Sequence, residues 1–418
     1  MHELRWENTV LVDGWTRTLR ELVDSVASAL EALPAGGPLA LVGEDGVGLI
    51  AAAGWLAKTR RDGMVLPRER LTGSVTERLA EAGLAVVAVP DGRQEHPGGG
   101  GGEPGRVRLL TSGSLGEPKL VHHTWDSLFT MSRVRGVPAR RWLLTYQPGT
   151  YAWYQLVTAL LFLPAQSLVV SRAAEPAEMI AAAAAHGATA ISSTPTFWRV
   201  ARLHAGPADV DRLRAGLAQI TLGGEPVDQA ILDQLHALFP AAQLAHIYAS
   251  AEAGASIVVG DGRAGFPVAW LDDPGRSPRL RVTDGRLWVQ SPQAAVGFEG
   301  WIDTQDVAEV RGDRVHLLGR AGHAVINIGG AKALAADIER VLLAHPYVLW
   351  CRVKGVSAPL VGQLVSAEIV PHPEWAALDF PEADLTAFCA ERLPPHMVPR
   401  LWERRERIPA AANWKAEV

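Results

Sequence analysis

The sequence predicts an α/β fold, with a large N-terminal domain of mostly parallel sheets flanked by helices and a small C-terminal α+β lid domain. Three observations carry this. Short runs rich in branched apolar residues alternate with helical stretches as far as Tyr248, which is the grammar of βαβ units. After Arg320 the order changes to a helix, two long extended runs and a second helix. At 418 residues the chain is also too long for one compact core, so two domains are expected, over 1–319 and 320–418.

Taken in order, a helix over 17–33 places Leu19, Leu22, Val23, Val26, Leu30 and Leu33 on one stripe, a core-facing pattern. A strand over 38–42 precedes a helix through Trp55, and a strand over 64–66 precedes a helix through Leu79. A third extended segment covers 84–89. The five glycines of 98–102, in a proline-bearing stretch, read as a flexible connection to the next strand, 107–110. The alternation resumes with strands over 167–170, 188–192, 217–222 and 243–248, and with helices over 176–186, from Pro195, and over 228–239. Ligands of such sheets bind beyond the carboxyl ends of the strands, where Gly223-Gly224-Glu225 and the segment from Tyr248 to Glu252 both fall. A hairpin over 306–318 turns at Gly312-Asp313. The lid comprises helices over 335–343 and 384–393 and extended runs over 349–356 and 364–370.

Composition excludes several classes. A net charge of -5 gives no broad basic field for nucleic acid. The longest apolar stretch, 157–170, is interrupted by Pro164 and Gln166 and falls short of the ~20 residues of a membrane helix, so no span is expected. The N-terminus has mixed charge and no apolar core, unlike a secretory signal. Two cysteines, Cys351 and Cys389, cannot build a disulfide framework, which suits a cytoplasmic location.

The segment Thr111-Ser112-Gly113-Ser114-Leu115-Gly116-Glu117-Pro118-Lys119, directly after a strand, combines hydroxyls, turn-forming glycines and a lysine, the ingredients of a phosphate cradle. It lacks the Gly-Lys-Ser/Thr ending of a Walker A loop. It resembles the Thr-Ser-Gly-Ser-Thr-Gly-x-Pro-Lys signature of the adenylate-forming ligases, the superfamily of acyl- and aryl-CoA synthetases, peptide-synthetase adenylation domains and luciferases. Further segments follow in that family's order: Gly223-Gly224-Glu225-Pro226, Tyr248-Ala249-Ser250-Ala251-Glu252, Gly300-Trp301-Ile302-Asp303-Thr304-Gln305-Asp306, Gly319-Arg320, and Ile408-Pro409 leading to Asn413-Trp414-Lys415. The resemblance runs from about residue 105 to the end, with a short opening segment that implies a reduced first subdomain.

The resemblance implies attack of a carboxylate on the α-phosphorus of ATP, giving an acyl adenylate and pyrophosphate. Transfer to a thiol follows, either coenzyme A or the phosphopantetheine arm of an acyl carrier protein. Two anions must meet, so the site needs Mg²⁺ and positive charge around the phosphates. On this reading Glu252 is the metal ligand, and Thr111, Ser112, Gly113, Ser114, Gly116 and Lys119 surround the phosphates. Gly223, Gly224, Glu225, Tyr248, Ala249 and Ser250 line the nucleotide, with Tyr248 stacking on adenine. Asp306 accepts from the ribose hydroxyls, as an acceptor-only carboxylate can, and Arg320 contacts ribose or phosphate. Lys415 approaches the reacting carboxylate, acting with Glu252 and Thr111 in the chemistry, and reaches it only if the lid folds over the cleft. The aromatics Tyr151 and Trp153, with Trp198, suggest a small-molecule acid that is aryl or short and compact.

This chain departs from the pattern at Leu115 and Ala251, each in place of a threonine, at Gln305 in place of a glycine, and after Arg320, where the hinge aspartate is missing. An amine acceptor, or a nucleotide-binding homologue with impaired catalysis, are the alternatives these losses leave open.

Overall fold

The computed structural model describes residues 2–112, 118–133, 136–320, 325–328, 331–358 and 362–409. Four sheets organise them. The largest runs, in spatial order, through Gly254–Val259, Gln243–Ser250, Gln219–Gly223, Ala190–Ser193, Arg140–Leu144, Gln166–Val169, Thr9–Val12 and Trp15–Thr18. It is parallel except at its two outer pairs. The second runs through Gln94–His96, Ala85–Ala88, Leu39–Gly43, Gly63–Pro67, Arg106–Ser112 and Pro118–Thr124. The predicted parallel sheets are therefore present, and their central strands are buried on both faces, as Leu39–Gly43 and Gly63–Pro67 are at every residue.

Helix starts follow local chemistry. The helix Leu19–Glu31 opens on a capping box: the Thr18 hydroxyl accepts from the Glu21 backbone N–H, and the Glu21 carboxylate accepts from the Thr18 N–H at 2.7 Å. It starts two residues later than the apolar stripe suggests, because Arg17 and Thr18 pair with Val10 and Thr9 in a hairpin. The stripe itself is as expected, with Leu19, Leu22, Val23, Val26 and Leu30 buried. The helix Tyr151–Phe162 is capped by Thr150 and buried over most of its length.

The 98–102 glycine run is a correction. It does connect the first layer to the strand Arg106–Ser112, but it is docked rather than loose. The N–H groups of Gly99 and Gly100 donate to the Gly83 carbonyl, and that of Gly102 donates to the Gly36 carbonyl. A Cβ on Gly98 would lie 2.7 Å from the Ala85 nitrogen and one on Gly102 would lie 2.6 Å from the Gly36 oxygen. Glycine is used here for close backbone approach rather than for freedom.

Two features escape sequence pattern. The third sheet, Phe266–Pro267, Arg314–Arg320, Ile302–Arg311, Arg286–Gln290 and Arg279–Thr283, is antiparallel and encloses a separate core of Ile257, Phe266, Leu280, Leu287 and Val289. Only its hairpin around Gly312 was legible. The strand that leads to the phosphate loop is anchored by a buried ion pair, Arg108 Nε and Nη2 donating to the two Asp62 oxygens at 2.8 and 2.7 Å.

The fourth sheet starts at Val325, beyond the strand Arg314–Arg320. It comprises Ala331–Leu334, Val325–Ile328, Gly362–Pro371 and Val348–Ala358, with Leu401–Arg404 added in parallel. The helices Ala335–Leu342 and Glu382–Ala390 cover its core, which includes both cysteines. Among the described residues no helix is long and apolar enough to cross a membrane.

Candidate active site

Strand ends bring the motifs together. Gly223 closes the strand Gln219–Gly223 in register with Ile247, and the next strand carries Tyr248 and Ser250 before the chain turns through Glu252 to Gly254. The turn is tight. The Ser250 hydroxyl accepts from the Ala253 N–H at 3.0 Å, and Gly254, at φ +74°, comes so near Gln293 that a Cβ would lie 2.7 Å from its carbonyl oxygen. The Ala295 N–H donates to the Glu252 carbonyl at 2.8 Å. The Glu252 side chain is half-buried, and its carboxylate has no hydrogen-bond or ion-pair partner among the described residues.

Asp306 stands opposite, on the hairpin. It pairs in register with Arg320, whose Nε lies 3.3 Å from Asp306 Oδ1 and whose Nη1 donates to the Thr304 carbonyl at 2.7 Å. The Tyr248 hydroxyl donates to Asp306 Oδ2 at 2.5 Å. Burial raises the Asp306 carboxyl above its ordinary range, and the charges of Glu252 and Asp303 push the same way. The Tyr248 hydroxyl and Arg320 work against them. Burial and the charge of Asp306 raise the Tyr248 phenol, which keeps it a neutral donor. Thr304, which sequence reading passed over, braces the pair: its hydroxyl donates to the Leu287 carbonyl at 2.8 Å and accepts from the Asp306 N–H at 3.2 Å. Gln305, where the family pattern has glycine, takes φ +62°, a left-handed conformation that favours glycine.

The predicted phosphate-loop residues, Lys415 and Glu225 are placed differently. Thr111 faces Lys119 across the antiparallel pair that flanks the phosphate loop, with Ser112 opposite Pro118. Gly113, Ser114 and Gly116 lie outside the described residues, as does Lys415. Glu225 accepts from the Thr196 N–H at 2.9 Å and from its hydroxyl at 3.0 Å, so its two oxygens secure the start of the helix Pro195–His204.

The aromatics are not gathered into one wall. Trp153 packs edge-on against Tyr154 in one core, while Trp198 sits with Phe197 and Phe239 in another, and packing accounts for both tryptophans. Tyr151 does reach the site, but its hydroxyl accepts from the Ala255 N–H at 2.9 Å. A cleft of about 590 Å³ lies between Thr124 and Ser127 on one side and Arg276, Gln290 and Glu299 on the other; none of the predicted site residues lines it, although Ala295, the donor to the Glu252 carbonyl, does.

Residues 107–298 match the family model described as AMP-binding enzyme, and residues 337–415 match the model for the AMP-binding enzyme C-terminal domain. The chain belongs to the AMP-binding enzyme family. This AMP-binding enzyme is 26% identical over 339 residues to a feruloyl-CoA synthase of an Amycolatopsis species, a match covering 73% of the chain and 67% of that protein. In fold it is similar to ATP-bound MatB from Rhodopseudomonas palustris, with a TM-score of 0.74, 18% identity and coverage of 98% of this chain and 94% of that one. It is likewise similar to the amide bond synthetase McbA from Marinactinospora thermotolerans, at a TM-score of 0.72, 20% identity and coverage of 98% and 95%.

The residues present fit a hard divalent cation of the Mg²⁺ type. Such an ion keeps most of its waters and takes one or two carboxylates together with substrate phosphates, rather than a closed protein cage. Glu252, whose carboxylate has no partner among the described residues, meets that requirement, and among the same residues no cluster of three or more histidine, cysteine or acidic side chains offers a cage.

Proposed function

We propose that this AMP-binding enzyme activates a small carboxylic acid with ATP, releasing pyrophosphate, and passes the acyl group from the resulting acyl adenylate to the thiol of coenzyme A. The observation that carries the reading is the pair of carboxylates at the strand ends. The Glu252 carboxylate has no partner among the described residues and would take a cation, and Asp306 is held by Tyr248 and Arg320. The two family models, in order along the chain, support it, as does the likeness to a CoA synthase.

In the first step an oxygen of the acid attacks the α-phosphorus and the bond to pyrophosphate breaks. Negative charge accumulates on the phosphoryl oxygens, and preorganised positive charge lowers that barrier most. Mg²⁺, held by Glu252, would supply charge neutralisation on the phosphates. The loop from Thr111 to Lys119 would bind the phosphate chain, and Lys415, within the matched C-terminal domain, would approach the acid. Asp306 would exchange its present donors for ribose hydroxyls, and Tyr248 would lie against the base. In the second step the thiol sulfur attacks the acyl carbon and AMP leaves.

The test is ATP/pyrophosphate exchange across a panel of acids, aryl acids and short acyl chains included, followed by product analysis with coenzyme A, a phosphopantetheinylated carrier protein and simple amines. Acid-dependent exchange with thioester formation is expected. Nucleotide binding without exchange for any acid would overturn catalysis, and amide products alone would overturn the thiol acceptor.

A further inference from the structure

The strand Pro118–Thr124 leaves the phosphate loop and runs past the back of the turn that presents Glu252. By strand alternation Lys119, Val121 and His123 share one face. His123 is fully buried, and its Nε2 lies 2.6 Å from the Ala251 carbonyl oxygen. A carbonyl can only accept, so Nε2 carries the proton. Nδ1 then accepts from the Ser127 hydroxyl at 2.8 Å. Burial in this setting pushes the imidazole down to about 4, leaving it neutral and in a single tautomer near neutral pH. The Tyr151 ring packs against it at 5.7 Å between centroids, while the Tyr151 hydroxyl takes the Ala255 N–H from the same turn.

We propose that His123 is a positioning residue for Glu252: its Nε2–H fixes the Ala251 carbonyl, and with it the peptide plane from which the Glu252 side chain projects toward its cation. The residue before Glu252 is an alanine here, with no hydroxyl of its own to hold the turn, and the anchor comes instead from a side chain 128 residues earlier in the chain. Tyr151 and the Ala295 N–H complete the brace, on Ala255 and on the Glu252 carbonyl. An outer contact of this kind acts on orientation, and its loss typically costs roughly 10–100-fold in metal affinity or activity. The strand that bears it also bears Lys119, so one rigid segment sets the spacing between the phosphate loop and the metal-binding turn.

The assignment rests on Glu252 as the cation ligand. The test compares binding of MgATP with binding of ATP in the presence of a chelator, by calorimetry, for wild type, His123→Leu, His123→Gln and Tyr151→Phe, with thermal melts as a control for folding. His123→Leu is expected to weaken MgATP binding by about ten-fold while leaving metal-free ATP binding at the wild-type value. His123→Gln, whose amide can still donate to the Ala251 carbonyl, is expected to recover most of the loss. Should His123→Leu not fold, Tyr151→Phe carries the test, with a smaller weakening confined to MgATP. Equal affinities of wild type and variants for MgATP, or equal weakening of both forms of the nucleotide, would overturn the role of His123. A wild type that binds MgATP no better than metal-free ATP would overturn instead the reading of Glu252.

Discussion

Glu252 and Asp306 stand close enough for the charge of one to raise the carboxyl of the other, yet their carboxylates are treated differently. The backbone around Glu252 is braced by His123, Tyr151 and Ala295, while its carboxylate has no partner among the described residues. Around Asp306 the backbone is held as well, by strand pairing with Arg320 and by the Thr304 hydroxyl, but here the side chain is engaged too. The carboxylate is engaged by Tyr248 and Arg320, and the backbone beside it carries Gln305 in a left-handed conformation. A group that must meet a cation gains from being rigid and unpaired. A group that receives neutral hydroxyl donors can keep protein donors in place until the ligand arrives, because the exchange of one hydrogen bond for another costs little net free energy.

The sharpest way to break this contrast is Glu252→Ala. If this carboxylate holds the cation, exchange should fall by about 10²-fold or more, with the melting temperature nearly unchanged, because no hydrogen bond or ion pair to the described residues is lost. Near-normal exchange would remove Glu252 from the site. Tyr248→Phe is the matching change on the other side. It removes from Asp306 Oδ2 the donor that a ribose hydroxyl would replace but leaves the ring, so a several-fold fall in KM for ATP is expected, within the roughly 0.5–1.5 kcal/mol of one hydrogen bond, because only the free state loses that bond. An unchanged KM with a reduced kcat would contradict it. Gln305→Gly is the smallest. Relief of the left-handed strain should add about 1 kcal/mol of stability, seen as a slightly higher denaturant midpoint. A fall in the midpoint would show that the bond from Arg286 to the Gln305 side chain outweighs the strain.

These carboxylates also mark how far the sequence alone reaches. The ends of the strands Gln219–Gly223 and Gln243–Ser250 are legible because their apolar runs, broken only by Thr221 and by His246, lead straight into the motifs. The strand Arg140–Leu144 lies at the middle of the same sheet but opens on two arginines, which reach Gln219 and the His186 carbonyl, and so it hides from an apolar scan. The antiparallel sheet from Phe266 to Arg320 is hidden for a related reason: Arg281, Arg286 and Trp288 alternate with its core residues, and two of them form cation–π contacts on the outer face. His123 had no sequence signal at all, since its partner is a backbone carbonyl far along the chain. Tyr151, Trp153 and Trp198 look alike as aromatic residues, and only burial separates the one that reaches the turn from the two that fill cores.

The docked glycine run has a practical consequence. Gly98, Gly100 and Gly102 press their backbones against neighbours, whereas an added Cβ on Gly99 or Gly101 would meet nothing within 4 Å. A monotonous stretch thus alternates between positions crowded against neighbouring backbone and positions with open space where a Cβ would stand. Both native thiols, Cys351 and Cys389, are buried in the small domain. A cysteine placed at 101 would therefore offer an accessible thiol against a background of two buried ones, a ready attachment point for a fluorophore or spin label on the large domain from which to follow the small one.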